Sequence, residues 1–210
     1  SIVITPQRRD PPNTTAKIDL YGRGAAERGA RLVALPENFA FMRREGARYP
    51  CAQGPDGEIV QALARWARTF GVWLVGGTLP ERTADDSRVH NTTLVFSPDG
   101  RERARYRKIH LFDVALGDGG RDVYSESTFC APGEEVVVCP TPSGGIGLSI
   151  CYDLRFPELY RALVDRGARW IVVPSAFTAA ATTVPALMVI EPEEFVSVEV
   201  PVAWAMSVAA

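Results

Sequence analysis

Cys151 is the residue around which chemistry could be organised. It follows the strand-like run Ile146-Gly147-Leu148-Ser149-Ile150 and precedes Tyr152-Asp153-Leu154-Arg155-Phe156. Pro157 comes next and suits the first turn of a helix. A nucleophile on a tight strand-to-helix turn projects from a sheet edge, and the backbone N–H after it can stabilise an oxyanion. A nearby helix N-terminus favours the thiolate. The alternative is an inert buried cysteine. Glu37 directly follows Leu32-Val33-Ala34-Leu35-Pro36, where a buried strand runs out. A carboxylate held against apolar walls has a raised pKa and suits general base work. The alternative is a surface Glu capping a loop.

Lys108 ends a run in which Arg101, Arg103, Arg105 and Arg107 take alternate positions. Strand side chains alternate faces, so Lys108 shares the face of Ala104 and Tyr106, opposite the arginines. An inward ammonium is costly unless a carboxylate meets it. The Arg row reads as a solvated face, with a phosphate-binding stripe as the lesser alternative. Glu126, in Tyr124-Ser125-Glu126-Ser127-Thr128-Phe129, carries little signal alone and reads as a loop Glu. His110 reads as a structural hydrogen-bonding histidine, and Asp153 with Arg155 as a local pair. The glycines at 76–77, 117–120 and 144–145 form neither a P-loop nor a dinucleotide fingerprint.

These residues need elements to position them. Short apolar runs supply strand candidates at Ile2–Ile4, Leu32–Leu35, Val72–Val75, Thr93–Phe96, Glu135–Val138, Gly147–Ile150 and Trp170–Val173. The clearest helix is Asp56–Phe70, with Asp56 as N-cap, Ile59, Leu63, Trp66 and Phe70 on one face, and Gly71 as the stop. Pro157–Arg166 is a second and Thr15–Arg28 a weaker third. Thr92–Phe96, the turn Ser97-Pro98-Asp99-Gly100 and Arg101–Lys108 form a hairpin. The alternation implies an α/β layer fold. Arg28–Phe39 also echoes Arg166–Phe177 at a constant offset, and if the two are related half-layers Glu37 and Ser175 fall at equivalent strand ends. The echo reads either as two similar units or as two related half-layers.

The 210 residues carry 23 Lys+Arg, 25 Asp+Glu, two His and four Cys. The net charge of −2 gives no pull toward nucleic acid or anionic membrane. Four cysteines without a CxxC pair suggest neither a disulfide framework nor a zinc site, so no metal or cofactor is expected. No apolar run approaches a membrane span, and the first residues lack the order of a signal peptide. A soluble cytoplasmic chain is the expectation. Residues 178–210 differ from the rest: they hold four Glu and no Lys or Arg.

Taken together, Leu35-Pro36-Glu37-Asn38-Phe39, Tyr106-Arg107-Lys108-Ile109-His110-Leu111-Phe112-Asp113 and the stretch from Gly147 to Leu159 resemble the nitrilase superfamily of carbon–nitrogen hydrolases. The likeness is greatest to its Nit-type amidases, the omega-amidase and deaminated glutathione amidase group. Three ordered motifs are more specific than any one, and the likeness covers about residues 30–177. The resemblance implies a four-layer α-β-β-α sandwich with internal pseudo-symmetry. It implies Cys151 as nucleophile, Glu37 as general base, and Lys108 with the Tyr152 backbone N–H as oxyanion stabilisers. Glu126 falls at the position of a second, supporting Glu. A small amide substrate and a homodimer or higher homo-oligomer are implied too. After Phe177 the family's His-Trp-Glu type motif and Arg-rich helix have no match. The expectation is therefore a hydrolase domain over 1–177, with 178–210 as an atypical, shortened C-terminal segment and the sandwich incomplete there. A catalytically silent relative serving as a binding or assembly protein, and another branch of the superfamily such as a carbamoylase or nitrilase, are the competing readings.

Overall fold

The computed structural model describes residues 23–40, 49, 52–84, 87–116 and 122–176. Ile2–Ile4, most of Thr15–Arg28, Cys51 and everything from Phe177 onward lie outside the described residues.

Two sheets stack face to face. The first contains β1 (Leu32–Ala34), β2 (Trp73–Val75), β3 (Leu79–Arg82), β4 (Val89–Phe96) and β5 (Glu102–Arg107). β1 runs parallel to β2, whereas β2, β3 and β5 all pair antiparallel with β4. A hairpin of β6 (Asp113–Leu116) and β7 (Asp122–Ser125) follows. The second sheet has the order β10 (Ala168–Val172), β9 (Gly145–Leu148), β8 (Val138–Cys139), with β10 parallel to β9. Helix α1 (Glu58–Phe70) covers the outer face of the first sheet through Leu63, Trp66 and Ala67, which cluster with Leu74, Leu94 and Phe96. Helix α2 (Pro157–Asp165) packs on β9 and β10 through Leu159 and Leu163. Between the sheets, Val75, Val95 and Tyr106 meet Ile146, Leu148 and Val172. The layers are α-β-β-α. Each fully buried aliphatic side chain stabilises this stack by roughly 1.5–3 kcal/mol.

The sequence expectations shift at several ends. α1 begins at Glu58, and its N-cap is Gly57 rather than Asp56. The Gln53 side-chain carbonyl accepts the Ile59 N–H at 3.0 Å and does the capping. A Cβ at position 57 would collide with that Gln53 amide, so glycine makes room for it. The buried stripe turns accordingly to Val60, Leu63, Trp66 and Ala67, leaving Ile59 and Phe70 at its border. Gly71 stops the helix at φ 63°, as expected. Of the strand expected over Glu135–Val138, only Val138 is paired. β3, β6 and β7 have no counterpart among the expected strands, because their sequences mix polar and apolar residues without a clean alternation.

The Arg row is not simply a solvated face. Glu81 on β3 is buried and receives Arg105 at 2.7 Å, Arg107 through two bonds of 2.9 Å, and the Thr92 hydroxyl at 2.8 Å. Burial alone would raise the Glu81 carboxyl. The Arg107 and Thr92 hydrogen bonds and the two guanidinium charges outweigh it and hold the carboxyl at about 2. This cluster locks β3 and β5 to opposite edges of β4, directly before Lys108.

The two copies of the internal echo share a local feature. Gly29 and Gly167 lead into β1 and β10 at φ 80° and 86°, and each strand runs parallel to its neighbour. One copy of the echo lies in each sheet.

Candidate active site

Glu37 sits on the turn that leaves β1. Its neighbour Asn38 has φ 53°, a left-handed conformation that Asn tolerates, and the Asn38 N–H donates to Thr78 Oγ1 at 2.8 Å. The junction between β2 and β3 passes directly beneath at Gly77, φ 57°, where a Cβ would stand 2.2 Å from the Pro36 carbonyl oxygen. Only glycine lets the two segments approach this closely. Lys108 leaves the end of β5 on the inward side, as the alternation requires, and is 2% exposed. Cys151 opens a 3₁₀ turn, Cys151–Arg155, that joins β9 to α2. Its φ of 45° is strained for a residue with a Cβ. Its N–H donates to the Pro174 carbonyl at 2.9 Å, which ties the elbow to the chain leaving β10.

These elements bring Glu37, Lys108, Glu126 and Cys151 together. Lys108 Nζ donates to Glu126 Oε2 at 2.8 Å and lies 3.5 Å from Glu37 Oε1. The Cys151 thiol lies close to the Glu37 carboxyl and to the Ala176 N–H, and both act on its proton affinity. That N–H also donates to Glu37 Oε2 at 2.9 Å. Glu126 starts a 3₁₀ turn after β7, and its Oε2 takes a further bond from the Phe112 N–H at 2.7 Å. The Tyr152 N–H lies in the first turn after Cys151, where helix starts leave donors without intrahelical partners. The Tyr152 ring packs edge-on against Phe112 and Phe156.

The electrostatics follow from burial and charge. Burial raises the Glu37 carboxyl, and the neighbouring Glu126 charge adds to this, while the Lys108 charge, the Asn91 hydrogen bond and the nearby Cys151 thiol oppose it. Burial works to lower Lys108, but the Glu37 and Glu126 charges outweigh it and push the ammonium above its ordinary value. Cys151 is pushed up by burial and by Glu37, against the pull of Lys108 and the Ala176 N–H. Burial and the Glu37 charge thus favour the thiol form of Cys151 over the thiolate. Such an arrangement can pass a proton from sulfur to carboxylate as the sulfur attacks, with a fixed ammonium nearby to meet negative charge.

Two buried partners escaped the sequence reading. Asn91 on β4 is 4% exposed, and its Nδ2 donates to Glu37 and Glu126. It lies just before the strand expected from Thr92, and only the structure extends that strand back to Val89. Asp153 is the other. It does not pair with Arg155, which is exposed. It turns inward, fully buried, and accepts Tyr106 OH at 2.7 Å, the Ile150 N–H at 2.8 Å and the His110 N–H at 3.0 Å. His110 Nδ1 also lies 2.7 Å from Asp153 Oδ1, and the carboxylate can only accept there. His110 stacks on Phe156 with centroids 3.7 Å apart, a structural histidine as expected. The Asp153 clasp joins the segment after Lys108 to the Cys151 elbow. Asp153→Leu leaves these donors buried without an acceptor, so a loss of about 3–5 kcal/mol is expected. Urea unfolding measures it, and a loss below about 1 kcal/mol would show that the clasp is dispensable.

Among the described residues Cys130, Cys139 and Cys151 are free thiols. No group of three or more His, Cys, Asp or Glu among them is disposed to hold a metal ion. No helix of the described residues is long and apolar enough to cross a membrane.

Comparison with known proteins adds an independent line. The chain is 41% identical over 166 residues to the human omega-amidase NIT2, covering 78% of this chain and 57% of that protein. It is 42% identical over 158 residues to the deaminated glutathione amidase of Synechocystis sp., covering 74% of this chain and 57% of that one. It therefore spans little more than half the length of these curated relatives. The crystal structure of the C. elegans NitFhit protein superposes with a TM-score of 0.72 at 33% identity, over 85% of this chain and 44% of that one. The carbon-nitrogen hydrolase family profile matches residues 2–210, beyond the 30–177 stretch that carried the motif resemblance. By this match and these relatives, on the layered fold described above, the chain belongs to the carbon-nitrogen hydrolase family.

Proposed function

We propose that the protein is a thiol amidase that hydrolyses a small linear carboxamide to the acid and ammonia through a thioester on Cys151. The observation that carries this is the convergence of Cys151, Glu37 and the buried Lys108 ammonium, which lies 3.5 Å from Glu37 and 2.8 Å from Glu126. In the proposed sequence, Glu37 takes the thiol proton as Sγ bonds to the amide carbon. Lys108 and the Tyr152 N–H face the oxygen on which negative charge develops. Glu37 returns the proton to the amide nitrogen, the C–N bond breaks and ammonia leaves, giving the thioester. Glu37 then takes a proton from water as its oxygen attacks the thioester carbon. The C–S bond breaks, the acid departs and Cys151 regains its proton. Glu126 keeps Lys108 charged and in place. Splitting the reaction through a covalent intermediate lowers each barrier.

The similarity to an omega-amidase and a deaminated glutathione amidase supports monoamides of dicarboxylic acids as the first substrates to try. The test is ammonia release from a panel of such amides, together with nitriles and N-carbamoyl amino acids. Acid-quenched protein is then examined by mass spectrometry. An acyl mass increment on the Cys151 peptide is expected during turnover of the best amide. Turnover without any adduct on that peptide, even with hydroxylamine omitted and the quench shortened, would argue against a thioester. A folded protein that releases ammonia from nothing in the panel would remove the amidase reading.

A further inference from the structure

We propose that Asn91 is a positioning residue that yokes Glu37 to Glu126 across Lys108 and so aims the Glu37 carboxylate at Cys151. The inference rests on the thiol amidase reading and deepens it.

The distances decide which group holds Glu37. Its Oε1 receives Asn91 Nδ2 at 2.9 Å, whereas Lys108 Nζ stands off at 3.5 Å. Lys108 is instead drawn to Glu126 Oε2 at 2.8 Å. The same Asn91 nitrogen donates to Glu126 Oε1 at 3.2 Å. Each of its two N–H groups thus serves one carboxylate. Glu126 is gripped at both oxygens, by Asn91 on one and by Lys108 and the Phe112 N–H on the other. Glu37 is fixed by Asn91 at Oε1 and by the Ala176 N–H at Oε2. The Asn91 backbone is part of the frame too, because its carbonyl accepts the Lys108 N–H at 2.9 Å.

The chemistry favours a neutral double donor here. The site already holds two carboxylates and one ammonium within 2% to 13% side-chain exposure. Two carboxylates this close repel, and each would turn away or take up a proton without donors between them. A second cation would compete with Lys108 for both. An amide supplies two N–H groups without adding charge, and it leaves the Lys108 ammonium less committed to Glu37. Among the described residues, the charged and titratable groups that act on Glu37 are Lys108, Glu126 and Cys151, and none of them is altered by changing Asn91 alone.

The test uses the full chain with Asn91→Leu, which keeps the bulk and removes both N–H groups, and Asn91→Ser, which keeps one short donor. Two readouts are taken across pH: kcat and KM on the best amide, and the rate of iodoacetamide alkylation of Cys151 followed on its peptide. The second needs no substrate, so it tests the inference even if the amidase reading fails. Losing a donor to the Glu37 carboxylate makes its proton harder to remove. The acid limb of both profiles is therefore expected to move up by about one pH unit in Asn91→Leu, a tenfold change in proton affinity. A kcat loss of about 10–100-fold with KM changed less than about threefold is expected, and Asn91→Ser falls between. If Asn91→Leu does not fold, the Ser variant decides by the same shift. An unmoved acid limb in the folded variants, with any activity loss matching lost folded fraction, would overturn the proposal. So would wild-type kcat and alkylation profiles in both.

Discussion

Cys151→Ala is expected to abolish amide turnover, with kcat down by about 10⁴-fold or more, while the fold persists. In the proposed mechanism the thiol is the group that bonds to the acyl carbon. Without it, Glu37 and Lys108 face a substrate with no nucleophile between them. The structural cost is small, because the lost atom is one sulfur at a site that is 8% exposed. The backbone offers a second arm to this experiment. At φ 45° any Cβ costs roughly 1–2 kcal/mol, and glycine escapes that strain. Glycine's greater unfolded-state entropy offsets about 0.5–1 kcal/mol of the gain. Cys151→Gly is therefore expected to unfold no lower than Cys151→Ala, although it deletes one more carbon. Thermal unfolding of both variants checks this, and ammonia release checks the rest. Residual turnover above about one part in a thousand in either would remove Cys151 from the role of nucleophile. A Gly variant clearly less stable than the Ala variant would show that the elbow is not strained.

Lys108→Met is the second large effect, and it has a pH signature. The ammonium lies at 2% exposure between Glu37 and Glu126. Removing one partner of a buried ion pair costs about 3–5 kcal/mol, because the remaining charge is stranded. Two carboxylates would be stranded here. The Glu37 carboxyl keeps the burial and the Glu126 charge that raise it, and loses the ammonium that lowers it. Its folded-state pKa then lies further above the ordinary 4.5. The folded variant binds this proton more tightly than the unfolded chain does. The stabilisation from that proton is fully present below the unfolded value and disappears as pH rises through the folded one. The gap in melting temperature between wild type and Lys108→Met should therefore widen as pH rises above the ordinary carboxyl value of 4.5. Activity should fall by at least about 10²–10³-fold, as for loss of one group stabilising a developing oxyanion. A gap that is flat with pH would mean that Glu37 is already protonated in the wild type or that water reaches it in the variant.

Local pattern was informative where function needs a particular residue at a strand end. Glu37 after Leu32–Leu35, Lys108 on the inward phase of its strand, and Cys151 between a buried strand and Pro157 all stand out from their neighbours. Burial of the first two at 4% and 2% agrees with that reading. Glu126 stood out only through the family resemblance, since a loop Glu has no periodicity to betray it. Asn91 had no such signal beyond its residue type, because its partners lie 54 and 35 positions away. The Arg row was misjudged for the same reason. Alternation correctly put Arg105 and Arg107 on one face, but their acceptor Glu81 comes from β3, 24 and 26 positions earlier.

Sequence alone therefore marked Glu37, Lys108 and Cys151 as candidates, put Lys108 on the inward phase of its strand, and carried the layered α/β class. These rest on interactions between near neighbours in the chain: the period of apolar residues, helix stops at glycine, and a proline suited to a helix start. Folding in three dimensions decided the rest. It chose which carboxylate Lys108 approaches, 2.8 Å from Glu126 against 3.5 Å from Glu37. It turned Asp153 away from Arg155 to clasp Tyr106 and His110, and it set Cys151 at a positive φ. Each of these choices is made by groups far apart in the chain that must satisfy one another once water is excluded. In a buried site every donor and every charge needs a partner, and that demand acts across the two sheets rather than along the sequence.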